Sequence, residues 1–195
     1  KRIVSLLLAA ALLTGAASAA GEEGAAEQPD LDLSAASAVL MEKETGALLY
    51  EKESHQQLEP ASVTKVMTLL LIMEDLDSGR LSKEDLVTVS AAAAGMGGSQ
   101  VYVKEGEQLS AGELIKCIAV VSGNDAAVAM AEHLAGSEAA FVERMNRRAQ
   151  ELGMKDTAFV NCTGLPAAGH HSSAYDIALM SRELILNHPS IREYT

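Results

Sequence analysis

Ser62 and Lys65 stand three residues apart in Pro60-Ala61-Ser62-Val63-Thr64-Lys65-Val66-Met67-Thr68, at the front of the apolar run Leu69-Leu70-Leu71-Ile72-Met73 that Gly79 closes. On a helix that spacing puts both on one face, about 4.5 Å apart along the axis. A hydroxyl is a weak nucleophile until a neighbour takes its proton. A lysine does so only where desolvation or nearby positive charge disfavours its ammonium. The apolar turns that follow offer such burial. Pro60 suits a helix start, and a serine in the first turn lies near the positive end of the helix dipole, where a developing oxyanion is stabilised. Alone, the pattern is short and its residues are common, so the solvated start of a core helix also explains it.

A second set lies further along. Ser122-Gly123-Asn124 follows the apolar run Leu114-Ile115-Lys116-Cys117-Ile118-Ala119-Val120-Val121 and precedes an alanine-rich stretch. All three residue types are favoured at caps and turns, so a junction between two helices accounts for them without chemistry. His170, His171 and Asp176 invite comparison with a Ser-His-Asp triad, but that arrangement is defined by geometry and not by spacing. No His, Cys and Asp grouping has metal-ligand spacing. The stretch Gly95-Met96-Gly97-Gly98-Ser99 lacks the Lys-Ser/Thr pair of a phosphate loop.

The elements that must hold these groups follow from local pattern. Ala38-Val39-Leu40-Met41 and Ala47-Leu48-Leu49-Tyr50 flank Lys43-Glu44-Thr45-Gly46, a β-hairpin with Gly46 at a left-handed position. A lone hairpin is marginal in water and needs a helix or larger sheet beside it. The helix from Ala61 is apolar on most faces and reads as a buried central element, with Met67 and Met73 as core fillers. Val87-Thr88-Val89-Ser90 reads as extended. Ser110-Ala111-Gly112-Glu113 is a capping box that opens a helix through Val121. Gly123 ends that helix and Asn124 or Asp125 caps the next, while Ser137 and Ser173 cap two more. The chain is helix-rich, with strands only near the front.

Over 195 residues the composition is 48% hydrophobic and 3% aromatic, which suits one globular domain with an aliphatic, alanine-rich core. Residues 1–19 stand apart. A basic start, an apolar segment and Ala17-Ser18-Ala19 read as a secretory signal peptide cleaved after Ala19, too short to span a bilayer comfortably. Residues 20–35 read as a small, acidic linker. The formal charge of −12 becomes two units more negative on cleavage, which disfavours nucleic acid and simple adhesion to anionic lipid. Cys117 and Cys162 are too few for a disulfide scaffold, and their pairing is not readable. Cys117, inside an apolar run, reads as a buried free thiol.

Three ordered blocks, ASVTKVMT, VVSGNDAAVAMAEHLAG and FVNCTGLPAAGHHSSAYDIALMSREL, are far more specific than either short motif. Through them the chain resembles the serine-type D-alanyl-D-alanine carboxypeptidases among the low-molecular-mass penicillin-binding proteins, with an S-x-x-K, S-x-N and K-T-G motif set. The resemblance covers residues 36–195. It implies an α+β fold of the β-lactamase/transpeptidase-like type, a helical region plus an antiparallel sheet. It implies Ser62 as the nucleophile of an acyl-enzyme and Lys65 as general base. Ser122 falls on the proton relay near the leaving group, and Asn124 on the amide that holds the substrate carbonyl and orients the lysine. The implied reaction removes the terminal D-Ala from a peptidoglycan pentapeptide stem, with water completing hydrolysis. Implied partners are that stem peptide and β-lactams as covalent inhibitors, with no metal or other cofactor. The implied location is outside the cytoplasm, in the cell envelope or periplasm. The resemblance also puts His170 and His171 in a surface loop, and Thr163 and Leu165 at the border of the cleft.

The third motif is absent, because Thr45-Gly46 follows Glu44 and Thr163-Gly164 follows Cys162. Family order puts that strand beyond Thr195. Residues 36–195 therefore read as an incomplete catalytic domain whose C-terminal sheet strands are missing, weak or inactive alone, with the hairpin and central helix uncovered. Membrane anchoring through a missing C-terminal segment stays open. Two alternatives stand beside this reading. A serine β-lactamase shares S-x-x-K, but Gly123 in place of Asp and the lack of a clear deacylating-glutamate loop weigh against it. A non-catalytic cell-wall-binding domain of the same fold draws its support from the absent motif.

Overall fold

The computed structural model describes residues 31–195, so the expected signal peptide and most of the expected linker lie outside the described residues. Strands β1 (Ala38–Met41) and β2 (Leu48–Lys52) pair antiparallel, Ala38 opposite Lys52 and Leu40 opposite Tyr50. The Glu42 carboxylate closes their turn, accepting from the Glu44 and Thr45 amides at 3.0 and 2.7 Å and from the Thr45 hydroxyl at 2.6 Å. These bonds, the hydroxyl first, pull the Glu42 carboxyl down to about 2. Gly46 takes the left-handed position at φ +77°. The ribbon finds its support on helix α6 (Ala174–Asn187), where Arg182 donates to the Lys43 and Glu44 carbonyls at 2.6 and 2.7 Å. Leu40, Leu48 and Leu49 stay exposed.

The core is built around α1 (Lys65–Asp77), against which α3 (Ala111–Val121), α4 (Asn124–Ala135), α5 (Glu138–Glu151) and α6 pack. Met67, Leu70, Ile72 and Met73 are fully buried, as expected of a helix apolar all round. Each such side chain stabilises the fold by about 2 kcal/mol. The expectation that this helix lies uncovered is corrected, since helices from later in the chain enclose it. Two polar ties fix their packing. Asp75, itself buried, receives Arg80 at 2.8 and 2.5 Å and Arg144 of α5 at 2.9 Å on each oxygen. Arg148 bridges Glu74 of α1 and Glu183 of α6, at 2.6 Å to each.

A second antiparallel ribbon, β3 (Leu86–Thr88) with β4 (Gln108–Ser110), flanks the short helix α2 (Ala91–Ala94). Strands are thus not confined to the front; β4 escaped notice because its three residues run straight into a helix cap. That cap forms as read: the Ser110 hydroxyl accepts from the Glu113 amide at 3.3 Å and the Glu113 carboxylate accepts from the Ser110 amide at 2.9 Å. Ser137 and Ser173 also cap α5 and α6. The described residues form an α+β arrangement of six α-helices and two two-stranded ribbons. Among them no helix is long and apolar enough to cross a membrane.

Candidate active site

Ser62 lies in a 3₁₀ turn, Ala61–Thr64, that follows Pro60, and α1 begins only at Lys65. The expected placement on an α-helical first turn is corrected in favour of the pairing, because residues three apart eclipse one another in 3₁₀ geometry. Lys65 Nζ stands 3.3 Å from Ser62 Oγ and donates to the Thr163 carbonyl at 2.7 Å. The lysine is 3% exposed while Ser62 is open to solvent. Burial holds the Lys65 ammonium below its ordinary range, and its hydrogen bonds go to neutral oxygens. An amine so desolvated beside an exposed hydroxyl can take its proton as the hydroxyl attacks.

The Thr163 carbonyl belongs to a turn pressed against the serine's own backbone. Gly164 adopts φ +85°, and a Cβ there would sit 1.8 Å from the Ala61 carbonyl oxygen. Only glycine admits this approach. Ala61 in turn is held at φ +46°. A cavity of about 130 Å³ opens alongside, lined by Glu59, Ala61, Gly164, Leu165, Pro166 and His170 among others. Leu165 borders that cavity, whereas Thr163 is buried.

Ser122, not Gly123, takes the left-handed position that ends α3, at φ 57° and ψ 36°. This corrects the expected cap. Gly123 serves space instead, since a Cβ on it would meet Asp125 Oδ1 at 3.1 Å. Left-handed geometry costs a non-glycine residue about 1 kcal/mol. Neither Asn124 nor Asp125 caps α4 from the expected position; Gly123 does so without a side-chain bond. The buried Asn124 donates from its amide to the Ser99 carbonyl and from Nδ2 to the Gly97 carbonyl, both at 2.7 Å. Asp125 accepts from the Val101 and Val103 amides at 3.0 and 3.3 Å. The glycine-rich loop, for which the sequence offered no role, therefore clamps the start of α4.

That loop also joins the two motifs. A Cβ at Gly98 would lie 2.7 Å from Asn124 Nδ2 and 3.4 Å from Leu165 Cδ2, so the loop touches both Asn124 and the turn that receives Lys65. Ser62 and Lys65 meet directly, while Asn124 is linked to the turn that receives Lys65 through Gly98 and Leu165. Among the described residues Ser122 Oγ and Asn124 Oδ1 are buried without a hydrogen-bond partner. Asp176 Oδ1 is unpartnered in the same way, and such atoms cost about 1–3 kcal/mol each.

His170 is not in a surface loop. It is buried, its Nδ1 accepts from the Val160 amide at 3.0 Å, and Nε2 is 2.8 Å from the Thr64 hydroxyl. Because Nδ1 accepts, Nε2 carries the hydrogen and donates to Thr64, between Ser62 and Lys65. Burial lowers the His170 pKa. Asp176 accepts from the Asp156 amide and the Thr157 hydroxyl at 2.8 and 2.7 Å, so it forms no triad with these histidines. His171 is half-buried and pairs with Ala158. Both cysteines are free thiols; Cys117 is only half-buried, correcting its reading, and Cys162 is the enclosed one. Burial raises both thiol pKa values. Glu74 of α1 comes within 4.8 Å of Glu183 and His188, which lie in α6 and at its C-terminal cap, a grouping that spacing does not reveal. Arg148 already neutralises the two carboxylates, which makes this an ion-pair network.

Residues 22–195 match the protein family described as D-alanyl-D-alanine carboxypeptidase. This chain belongs to that family. Among its D-alanyl-D-alanine carboxypeptidase relatives, DacF of Bacillus subtilis is 50% identical over 196 residues, covering 100% of this chain and 50% of that protein. DacD of Escherichia coli is 43% identical, covering 81% of this chain and 42% of that protein. The chain thus spans about half the length of the curated relatives it matches. DacD from Francisella tularensis superposes with a TM-score of 0.82 at 38% identity, covering 84% of this chain and 40% of that one. Penicillin-binding protein D2 from Listeria monocytogenes, in its ampicillin-bound form, gives 0.76 at 32% identity and covers 86% of this chain and 68% of that one. The D-alanyl-D-alanine carboxypeptidase fold of these neighbours is the β-lactamase/transpeptidase-like α+β architecture that the motifs implied.

Proposed function

We propose that this chain carries the nucleophile-bearing part of a serine D-alanyl-D-alanine carboxypeptidase that trims the terminal D-Ala from peptidoglycan pentapeptide stems. Ser62 attacks the carbonyl of the penultimate D-Ala, Lys65 takes the hydroxyl proton, and D-Ala leaves with a proton relayed through Ser122. Asn124 holds the substrate's peptide carbonyl. Water then attacks the acyl-serine ester, regenerating the hydroxyl and releasing the shortened stem. The observation that carries the reading is the 3.3 Å approach of a buried lysine amine to an exposed serine hydroxyl, on neutral partners only. β-Lactams are substrates for the same attack, and the ester they leave is long-lived. Residues 36–195 form part of the catalytic domain, and residues 1–19 direct its export to the cell envelope.

The test is release of D-Ala from a synthetic peptide ending in D-Ala-D-Ala by the intact protein and by Ser62→Ala. Wild type is expected to release D-Ala and Ser62→Ala to release none. Equal release by both contradicts the reading. Rapid turnover of penicillin without a lasting adduct favours a β-lactamase, and wall binding without acylation favours a binding domain.

A further inference from the structure

One side chain folds the turn that receives Lys65. Asn161 Oδ1 accepts from the Thr163 and Gly164 amides at 3.1 and 2.7 Å and from the Thr163 hydroxyl at 3.1 Å, and its Nδ2 donates to the Leu165 carbonyl at 2.8 Å. Thr68 of α1 fixes the turn's other end through the Cys162 carbonyl at 2.7 Å, and Gly164 abuts the Ala61 carbonyl. The product is a carbonyl, that of Thr163, nearer to Lys65 Nζ than the serine is: 2.7 against 3.3 Å. A neutral amine has two hydrogens and one lone pair. With one hydrogen committed to Thr163, the directions open to the lone pair are few.

Resting on the proposed role of Lys65 as base, we propose that Asn161 is a positioning residue for proton transfer: it folds turn 161–165 so that the Thr163 carbonyl aims the Lys65 amine at the Ser62 hydroxyl. Asn161 acts through Thr163 and meets no reacting atom. An amine turned away from the hydroxyl loses the aligned geometry that makes proton transfer fast, while the substrate cleft stays formed.

The experiment follows acylation by a fluorescent penicillin from pH 6 to 10 in the intact protein, for wild type, Asn161→Ala, Asn161→Asp and Ser62→Ala. Asn161→Ala is expected to slow acylation by about 10²-fold with little change in the initial non-covalent affinity. Asn161→Asp keeps the three acceptor bonds and should recover most of the rate at high pH. Its carboxylate, on the turn whose Thr163 carbonyl receives the amine, favours the ammonium and should move the midpoint of the pH profile upward. A role confined to stability would lower the unfolding midpoint without moving that profile. Acylation of a folded Asn161→Ala at the wild-type rate, or an Asn161→Asp profile with an unmoved midpoint, overturns the proposal. Where Asn161→Ala does not fold, Asn161→Asp alone decides. Labelling of Ser62→Ala at the wild-type level would instead sink the nucleophile reading beneath it.

Discussion

At the scale of single residues, the burial of Lys65 has a kinetic signature. Its folded pKa is lowered from 10.5, so the neutral amine that can accept a proton is present at lower pH than for a free lysine. Acylation should therefore rise with pH through a midpoint below 10.5, and Lys65→Met should lose about 10³-fold of it on the high-pH plateau and show no such rise. Stopped-flow acylation across pH checks both; a midpoint at the ordinary lysine value would contradict them. His170 gives a second pH dependence, in stability. Its folded pKa is lowered from 6.5, so the histidine's stabilising bonds are fully available above 6.5 and are lost as pH falls through the folded value. Protonation would turn Nδ1 from acceptor to donor and break the bond from the Val160 amide. Thermal unfolding from pH 8 to 5 should show wild type losing more stability on acidification than His170→Gln. Parallel curves would count against it. The pairing of Ser62 with Lys65 was legible because three residues of spacing suffice to define it. The Thr163 carbonyl was not, since a backbone atom nearly a hundred residues away leaves no mark on local pattern. His170 was misplaced on the surface for the same reason, its partner Thr64 lying far away in sequence, whereas Asn161 bonds only to residues 163–165, a local turn that was not read.

At the scale of elements, the serine's turn is only as fixed as the helix behind it. Asp75 takes two arginines on one buried carboxylate and so joins α1 to α5. Removing one partner of a buried ionic group leaves the others unpaired, and Asp75→Ala is expected to cost about 3 kcal/mol. Urea denaturation measures this, and a loss below about 1 kcal/mol would reduce the tie to a surface ion pair. Element identity was readable where apolar period and caps agreed, as in α3, α5 and α6. It failed where one position met two demands. At Ser122-Gly123 the glycine is taken by the crowding of Asp125, and the serine is left with the strained backbone. The ribbon β3–β4 was half readable: Val87 announced one strand, but Gln108-Leu109-Ser110 is shorter than any alternation that could be recognised.

At the scale of the whole molecule, the chain spans about half of its curated relatives and carries Ser62-x-x-Lys65 and Ser122-x-Asn124 within the part it shares with them. The fold class was legible because ordered motif blocks constrain it more tightly than composition does. The exposed Leu40, Leu48 and Leu49 on the first ribbon could not be foreseen from alternation alone, because exposure depends on which elements pack against both faces. What the described residues do contain is an exposed serine hydroxyl 3.3 Å from a buried lysine amine, on a helix packed among helices that come from the length of the chain. The direct test is mass spectrometry of the intact protein trapped with a β-lactam, followed by peptide mapping. The account predicts one covalent adduct, on Ser62, and none on Ser62→Ala. An adduct on any other residue, or on Ser62→Ala at the wild-type level, would contradict it.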